Sequence, residues 1–394
     1  MLRLRPHKHA AFVARHPWVL AKSLEPTDES PGDGEVVDVV GANGRFVARG
    51  IHNGKSHIRV RLYSWDSQEP LDQAFWRRRI ASALQLRTAL GYDAPQGAAR
   101  LIFSEADGLS GLIVDRYAGW LVVQVTALAV DARLDELVAL LAELVQPRGI
   151  LVRTDAKIAT AEGITPRDGV VWGEPPPGPV AIEENGLTWS VDLLGGQKTG
   201  MYLDQRENRR AAAAYCGGRS VLDMCCYVGG FSLAAARLGG AREVWGIDAS
   251  EKAVEQARAH AAANGITNAR FDVGECFETL ENLRSTGQRF GVVVLDPPRF
   301  AGSRHGVDQA LRAYFRLNRL AVDLLEPDGF LVTCSCSGRV TRDDFLHMLA
   351  GVSQKSARDL QVLEPRGPAP DHPVRLSCPE TDYLKCYICR VTGG

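Results

Sequence analysis

The chain lacks any apolar run long enough to cross a bilayer, and its start carries no secretory signal pattern. It also lacks a charge excess, with 46 Lys and Arg against 47 Asp and Glu, a net −1 over 394 residues. A near-neutral total does not forbid nucleic acid, because binding needs a local basic face rather than a basic whole. The first residues offer one: Arg3, Arg5, Lys8, Arg15 and Lys22, with three histidines, precede the first acid, Glu25. A basic start also fits a transit peptide, but this one runs into His16-Pro17-Trp18-Val19-Leu20, the opening of a folded domain. Disulfide framework spacing is missing too. Nine scattered cysteines, an odd number, point to reduced thiols and a soluble cytoplasmic protein. Gly-x-Gly-x-x-Gly is absent, which disfavours NAD.

What is present reads as three regions. Residues 1–75 are β-rich: two apolar runs around Gly41-Ala42-Asn43-Gly44 make a hairpin. His57–Tyr63 alternates, with Arg59 and Arg61 on what reads as a solvated strand face. A helix from Ala74 to Ala89 bridges to a middle α+β region over residues 76–181. There Leu112–Tyr117 and Trp120–Val125 flank Ala118-Gly119, Leu134–Val145 has helical spacing, and Gly149–Arg153 returns as a strand. The prolines at 175–177 and 179 form a surface turn or linker. From 182 to 394 strands alternate with helices, an α/β layer pattern. Asp204-Gln205-Arg206-Glu207 reads as an Asp-started capping box.

The chemistry gathers in that last region. Val221-Leu222-Asp223 runs into Met224-Cys225-Cys226-Tyr227-Val228-Gly229-Gly230, a strand entering a glycine turn that lets backbone approach a ligand. Asp248, 19 residues beyond Gly229, ends the next strand at the offset where an acid meets ribose hydroxyls. Together with Asp223 this favours S-adenosylmethionine. Glu275, with Asp272 as the competing choice, is the acid for an adenine amino group. Asp296-Pro297-Pro298-Arg299-Phe300 stiffens a strand exit around a carboxylate suited to an exocyclic amine such as cytosine N4. An amino-methylating enzyme would put its aromatic directly after the prolines, whereas here Arg299 intervenes. Cys336, in Ser335-Cys336-Ser337-Gly338, lies just past a strand's end, and Cys334 belongs more to the strand itself. A thiolate there can add to C6 of a pyrimidine and activate C5 for methylation. Cys386-x-x-Cys389 is half a zinc motif, but on a strand positions i and i+3 face opposite ways, so no metal is expected.

At these residues the chain resembles the PUA-domain-containing 23S rRNA cytosine-C5 methyltransferase family of bacteria. The resemblance covers nearly the whole length. It is carried by Gly195–Arg209, the Asp223 loop, Asp296–Phe300, Ser335–Gly338, Asp371-His372-Pro373 and Tyr383-Leu384-Lys385. It implies an N-terminal RNA-binding PUA domain (1–75), a middle domain (76–181) and a Rossmann-like class I methyltransferase domain (182–394). Departures are Cys225 where the family has Phe, Val228 for Thr, and Met201 for Phe. No cysteine follows Asp296-Pro297-Pro298, so a two-cysteine release scheme does not apply.

The expectation is therefore 5-methylcytosine formation in large-subunit rRNA, naked or assembled, with Cys336 as nucleophile and Asp296 orienting the base. Asp223, Cys225, Tyr227, Gly229, Asp248, Glu275 and Asp296 would line the S-adenosylmethionine pocket, with Tyr202 and Arg206 closing it. Uracil-C5 or base-N methylation, a non-catalytic ribosome-assembly factor and a homodimer stay open, and the proton-abstracting base is unassigned.

Overall fold

Short runs of β-branched residues separated by glycine turns fold as strands throughout the chain. The structure, a computed structural model, describes residues 1–27, 30–195, 201–300 and 306–393. Positions 196–200 of the Gly195–Arg209 motif lie outside the described residues. Two compact units divide the chain. One comprises Met1–Glu183, Ser190–Leu203 and Pro370–Thr381; the other comprises Glu184–Trp189, Asp204–Ala369 and Asp382–Gly394.

The first unit holds two five-stranded sheets. Strands β1 (Leu2–Arg3), β2 (Trp18–Leu20), β3 (Val36–Val40), β4 (Phe46–His52) and β5 (Ile58–Ser64) take the order β1-β3-β4-β5-β2. The β3–β4 hairpin turns at Gly41–Gly44 as expected, with Gly44 at φ 77°. Strands β6 (Ala98–Phe103), β7 (Leu112–Tyr117), β8 (Trp120–Val125), β9 (Gly149–Arg153) and β10 (Gly169–Gly173) lie in the order β10-β9-β8-β7-β6. Helices Gln73–Ala89 and Leu134–Val145 belong to this unit, the first capped by Asp72 accepting from Phe75 N at 2.9 Å. Ile51 and Tyr63 of the first sheet share one core with Phe75, Ile80, Leu121 and Leu141.

The arginine face of β5 differs from expectation. Arg61 is only 7% exposed, and its guanidinium bridges Glu105 at 3.1 Å and Glu162 at 3.2 Å. A buried guanidinium persists only when paired, and both acids come from segments distant in sequence. The Pro370–Thr381 segment is held in the same unit. Arg87 Nη2 donates to the Asp371 carbonyl at 2.8 Å, Arg100 N to Asp371 Oδ2 at 3.0 Å, and Arg375 Nη1 to the Glu105 carbonyl at 2.7 Å.

A hairpin of β11 (Val180–Glu184) and β12 (Leu187–Val191) turns at Asn185-Gly186, both at positive φ, where the chain passes into the second unit. There β13 (Ser220–Met224), β14 (Glu243–Asp248), β15 (Ala269–Val273), β16 (Phe290–Leu295), β17 (Leu325–Ser335), β18 (Asp359–Arg366) and β19 (Lys385–Thr392) form one seven-stranded sheet. Its order is β15-β14-β13-β16-β17-β19-β18. The pairs from β15 through β17 are parallel, while β19 runs antiparallel to both neighbours. Alternating side chains feed two cores. Leu222, Val293 and Leu331 pack with helices Cys276–Ser285, Val307–Asp323 and Arg342–Ser356. Val221, Val292 and Val332 pack with Ala212 of helix Arg206–Ala213 and with Phe231 and Ala235 of helix Gly230–Arg237. Strand order reverses between β14-β13 and β16-β17, and the carboxyl ends of strands at such a reversal are where open α/β sheets bind ligands.

The Asp204 capping box does not form. Helix Arg206–Ala213 has Gln205 at its N-cap without a side-chain bond, and Leu203–Gln205 is a 3₁₀ turn. Asp204 Oδ2 instead accepts from the Tyr383 hydroxyl. Among the described residues no helix is long and apolar enough to cross a membrane.

Candidate active site at the carboxyl edge of the parallel sheet

Register alone assembles this site. Met224 pairs with Ile247 on one side and with Leu295 on the other, and Leu295 pairs with Thr333. The residues that follow each strand therefore leave the sheet along one edge: the Cys225–Gly229 loop after β13, Asp248 ending β14, Glu275 after β15, Asp296 after β16 and Cys336 after β17.

The loop after β13 is contorted in a way that local propensity disfavours. Cys225 (φ 62°), Tyr227 (φ 50°) and Gly229 (φ 88°) alternate in left-handed backbone. Non-glycine residues there carry strain that persists only when surrounding bonds impose it. Asp248 imposes it: Oδ2 accepts from Tyr227 N at 2.8 Å, and Oδ1 from Ser250 N at 2.9 Å. Under the loop, Asp223 is fully buried, its Oδ2 accepting from Ser232 N at 2.9 Å and Ser232 Oγ at 2.6 Å. Its Oδ1 has no hydrogen-bond partner among the described residues. Burial pushes this carboxyl up to about 7, with the Asp296 and Asp248 charges adding to the rise and the Ser232 bonds opposing it. Glu275 is the N-cap of helix Cys276–Ser285, yet its side chain makes no cap bond. Asp272, the competing acid, is engaged by Trp245 Nε1 at 2.8 Å and Arg258 at 3.6 Å.

Across the switch point, Asp296 Oδ1 accepts from Gln205 Nε2 at 2.9 Å. Desolvation and the neighbouring Asp204 charge push Asp296 up to about 7, against Arg209 and the Gln205 bond. Beyond β17 the two candidate thiols part. Cys334 is fully buried opposite Cys386, whose hydrogen bond, together with burial, raises it far above the ordinary thiol range. Cys336 is partly exposed one residue past the strand. Its turn is pinned by Lys385 Nζ donating to the Ser337 carbonyl at 2.8 Å, and by Tyr314 Oη and Ser337 Oγ 3.1 Å apart.

An acceptor-rich strand-end edge with an unpartnered buried carboxylate oxygen fits a ligand carrying hydroxyl, amino and ammonium donors. Comparison with known proteins decides which. Residues 111–375 match the family model described as S-adenosylmethionine-dependent methyltransferase, and residues 2–65 match a PUA-like domain. The chain belongs to this methyltransferase family.

Among curated relatives, the ribosomal RNA large subunit methyltransferase I of Aeromonas hydrophila is 39% identical over 386 residues, 97% of each chain. That of Tolumonas auensis is 38% identical over 390 residues, 98% of each chain. Among solved structures, a methyltransferase complexed with SAH superposes with TM-score 0.86 at 20% identity over 99% of each chain. A SAM-dependent methyltransferase from Streptococcus mutans gives 0.84 at the same identity and coverage. The methyltransferase domain is thus Rossmann-like, with a PUA-like domain ahead of it, and its cosubstrate is S-adenosylmethionine.

Within this methyltransferase, Asp223, Cys225, Tyr227, Gly229, Asp248, Glu275, Asp296 and Cys336 share the strand-end edge. Tyr202 is 40% exposed and belongs to the first unit, and Arg206 is buried with Nε on Glu184 at 3.1 Å. Cys225 is hydrogen-bonded to the Cys276 thiol, which with burial drives its acidity far down. Sequence reasoning missed Ser232, Gln205, Tyr314 and Lys385 as site residues; Gln205 and Lys385 lay within runs quoted for the resemblance, and Ser232 and Tyr314 are polar groups inside regular helices.

Cys386 and Cys389 enter different cores on opposite sides of β19. In the first unit His16, Cys378 and Glu380 offer ligand atoms within 4.8 Å of one another. However, Trp18 N donates to His16 Nδ1 at 3.2 Å, so the ring proton sits on Nε2 and points at Glu380 Oε2, 3.3 Å away. That tautomer leaves no lone pair for an ion.

Proposed function

We propose that this chain methylates C5 of a cytosine in large-subunit ribosomal RNA through a transient bond between Cys336 and C6 of the base. The observation that carries the reading is Cys336, a partly exposed thiol just past β17, on the same strand-end edge as Asp296 and the cosubstrate loop. The PUA-like domain and the names of the curated relatives support ribosomal RNA as substrate and the cytoplasm as the place of work.

In this reading Cys336 Sγ bonds to C6, and the C5=C6 pair moves onto C5. The bound donor supplies an electrophilic methyl carbon, and C5 takes it while the old S–CH3 pair stays on the donor sulfur. The C5 proton then leaves to a base, the pair returns to re-form C5=C6, and the Cys336 thiolate departs. Asp296, ionised above about pH 7, accepts a hydrogen bond from the exocyclic N4 amine and holds the ring against the thiol.

The test is nucleoside mass spectrometry on large-subunit rRNA after incubation with wild type or Cys336→Ala. Wild type yields 5-methylcytidine, and the variant loses at least a thousandfold in rate while binding S-adenosylmethionine unchanged. 5-Methyluridine would overturn the base and keep the thiol. An active Cys336→Ala would remove the covalent route.

A further inference from the structure

Lys385 is the least expected charge in the second unit: a lysine on β19 whose residue is 1% exposed. Its ammonium donates to the carbonyls of Ser337 (2.8 Å) and Tyr383 (2.9 Å), and among the described residues no carboxylate lies within 4.0 Å of it. The nearby acid Asp382 is committed elsewhere, both oxygens held by Arg342 at 2.7 and 2.8 Å. A buried ammonium without an anion is costly, and lysines are rarely buried unpaired. Register explains where it points. Lys385 pairs with Ser335 across β17–β19, so its head reaches the turn Ser335-Cys336-Ser337 that carries the thiol.

We propose that Lys385 is a positioning residue whose ammonium is the fixed counter-charge of the Cys336 thiolate. The inference rests on the reading of Cys336 as nucleophile and deepens it by naming what activates the sulfur. A thiolate beside a cation forms at lower pH than an isolated one, and here the cation is held in place before any substrate arrives. The groups facing it agree. Burial, with smaller contributions from Arg342 and Arg299, lowers Lys385 to about 8 against the opposing pull of Asp382 and Cys336. Lys385 therefore keeps its charge at neutral pH. Tyr314, whose hydroxyl meets Ser337 at this turn, is pushed up, chiefly by burial with Cys336 and Asp296 adding to the rise, and stays neutral. Lys385 could instead serve only to staple two carbonyls across the strand pair. A staple would leave the acidity of the thiol unchanged when the charge is deleted.

The experiment follows iodoacetamide alkylation of the full chain from pH 5.5 to 9.5, with the Cys336 peptide quantified by mass spectrometry. Wild type is expected to have its midpoint below the ordinary thiol value of about 8.5. Lys385→Met should move that midpoint up by at least one unit, about tenfold slower alkylation at pH 7, and Lys385→Arg should stay near wild type. A wild-type midpoint at or above about 8.5 overturns the proposal even if Lys385→Met does not fold, as does an unmoved midpoint in a folded Lys385→Met. Failure of the parent reading looks different: Cys336→Ala would methylate RNA, whatever the alkylation profile.

Discussion

Asp223 offers the sharpest quantitative test, because one substitution should stabilise the empty protein and cripple it at once. The fully buried carboxyl titrates near 7 in the folded chain against an ordinary 3.8. Above pH 3.8 the unfolded chain releases a proton that the folded chain keeps, so stability falls as pH rises, and the loss levels off above about 7. Integrating those two values gives a penalty of about 2 kcal/mol at pH 5 and about 4 kcal/mol at pH 8. Asp223→Asn carries no charge and escapes it, while its amide oxygen still accepts from Ser232 N and Oγ. Any packing cost of the new NH2 group is the same at both pH values and cancels in the difference. Urea denaturation of both proteins at pH 5 and pH 8 should therefore show the variant's relative stability rising by about 2–3 kcal/mol between them. The same variant should bind S-adenosylmethionine at least tenfold more weakly by equilibrium dialysis. A stability gap that stays flat with pH, or that shrinks towards pH 8, would refute the buried-charge account.

Two further outcomes follow from the same edge. Removing the Gln205 bond to Asp296 with Gln205→Leu should raise the carboxyl further, moving the rising limb of kcat/KM upward from near pH 7 by about half to one unit; an unmoved limb would exclude Asp296 as the group that must ionise. Gly229→Ala puts a Cβ in left-handed backbone 3.3 Å from Ala257 and Phe271, and should cost about 1–2 kcal/mol, read as a lower Tm; an unchanged Tm would mean the loop relaxes freely.

Much of the site was legible because its elements obey strong local rules. Leu134–Val145 and Gly149–Arg153 match their expected spans, since helical spacing and a β-branched run are unambiguous there. Asp223, Asp248, Asp296 and Cys336 were readable as strand-end residues, and the parallel register alone brings them to one edge. β6 was not read, because Ala98-Ala99-Arg100 has little strand propensity and is held by pairing with β7. β18 was missed as well: an edge strand, largely exposed, has no hydrophobic alternation to reveal it. The Asp204 cap failed because a tertiary partner, the Tyr383 hydroxyl, outcompeted a local one. Arg61 and Lys385 were the hardest, because the partners that let a charge be buried lie up to about a hundred residues away in sequence or in a neighbouring strand.

The chain threads between its two units at 183/184, 189/190, 203/204, 369/370 and 381/382. A single protease nick at any one of these crossings would leave four covalent tethers. No terminal truncation excises the catalytic layer whole, because a fragment starting at 184 still carries Pro370–Thr381, stripped of Arg87, Arg100 and Glu105. Such interlacing makes the two halves poor candidates for exchange between genes.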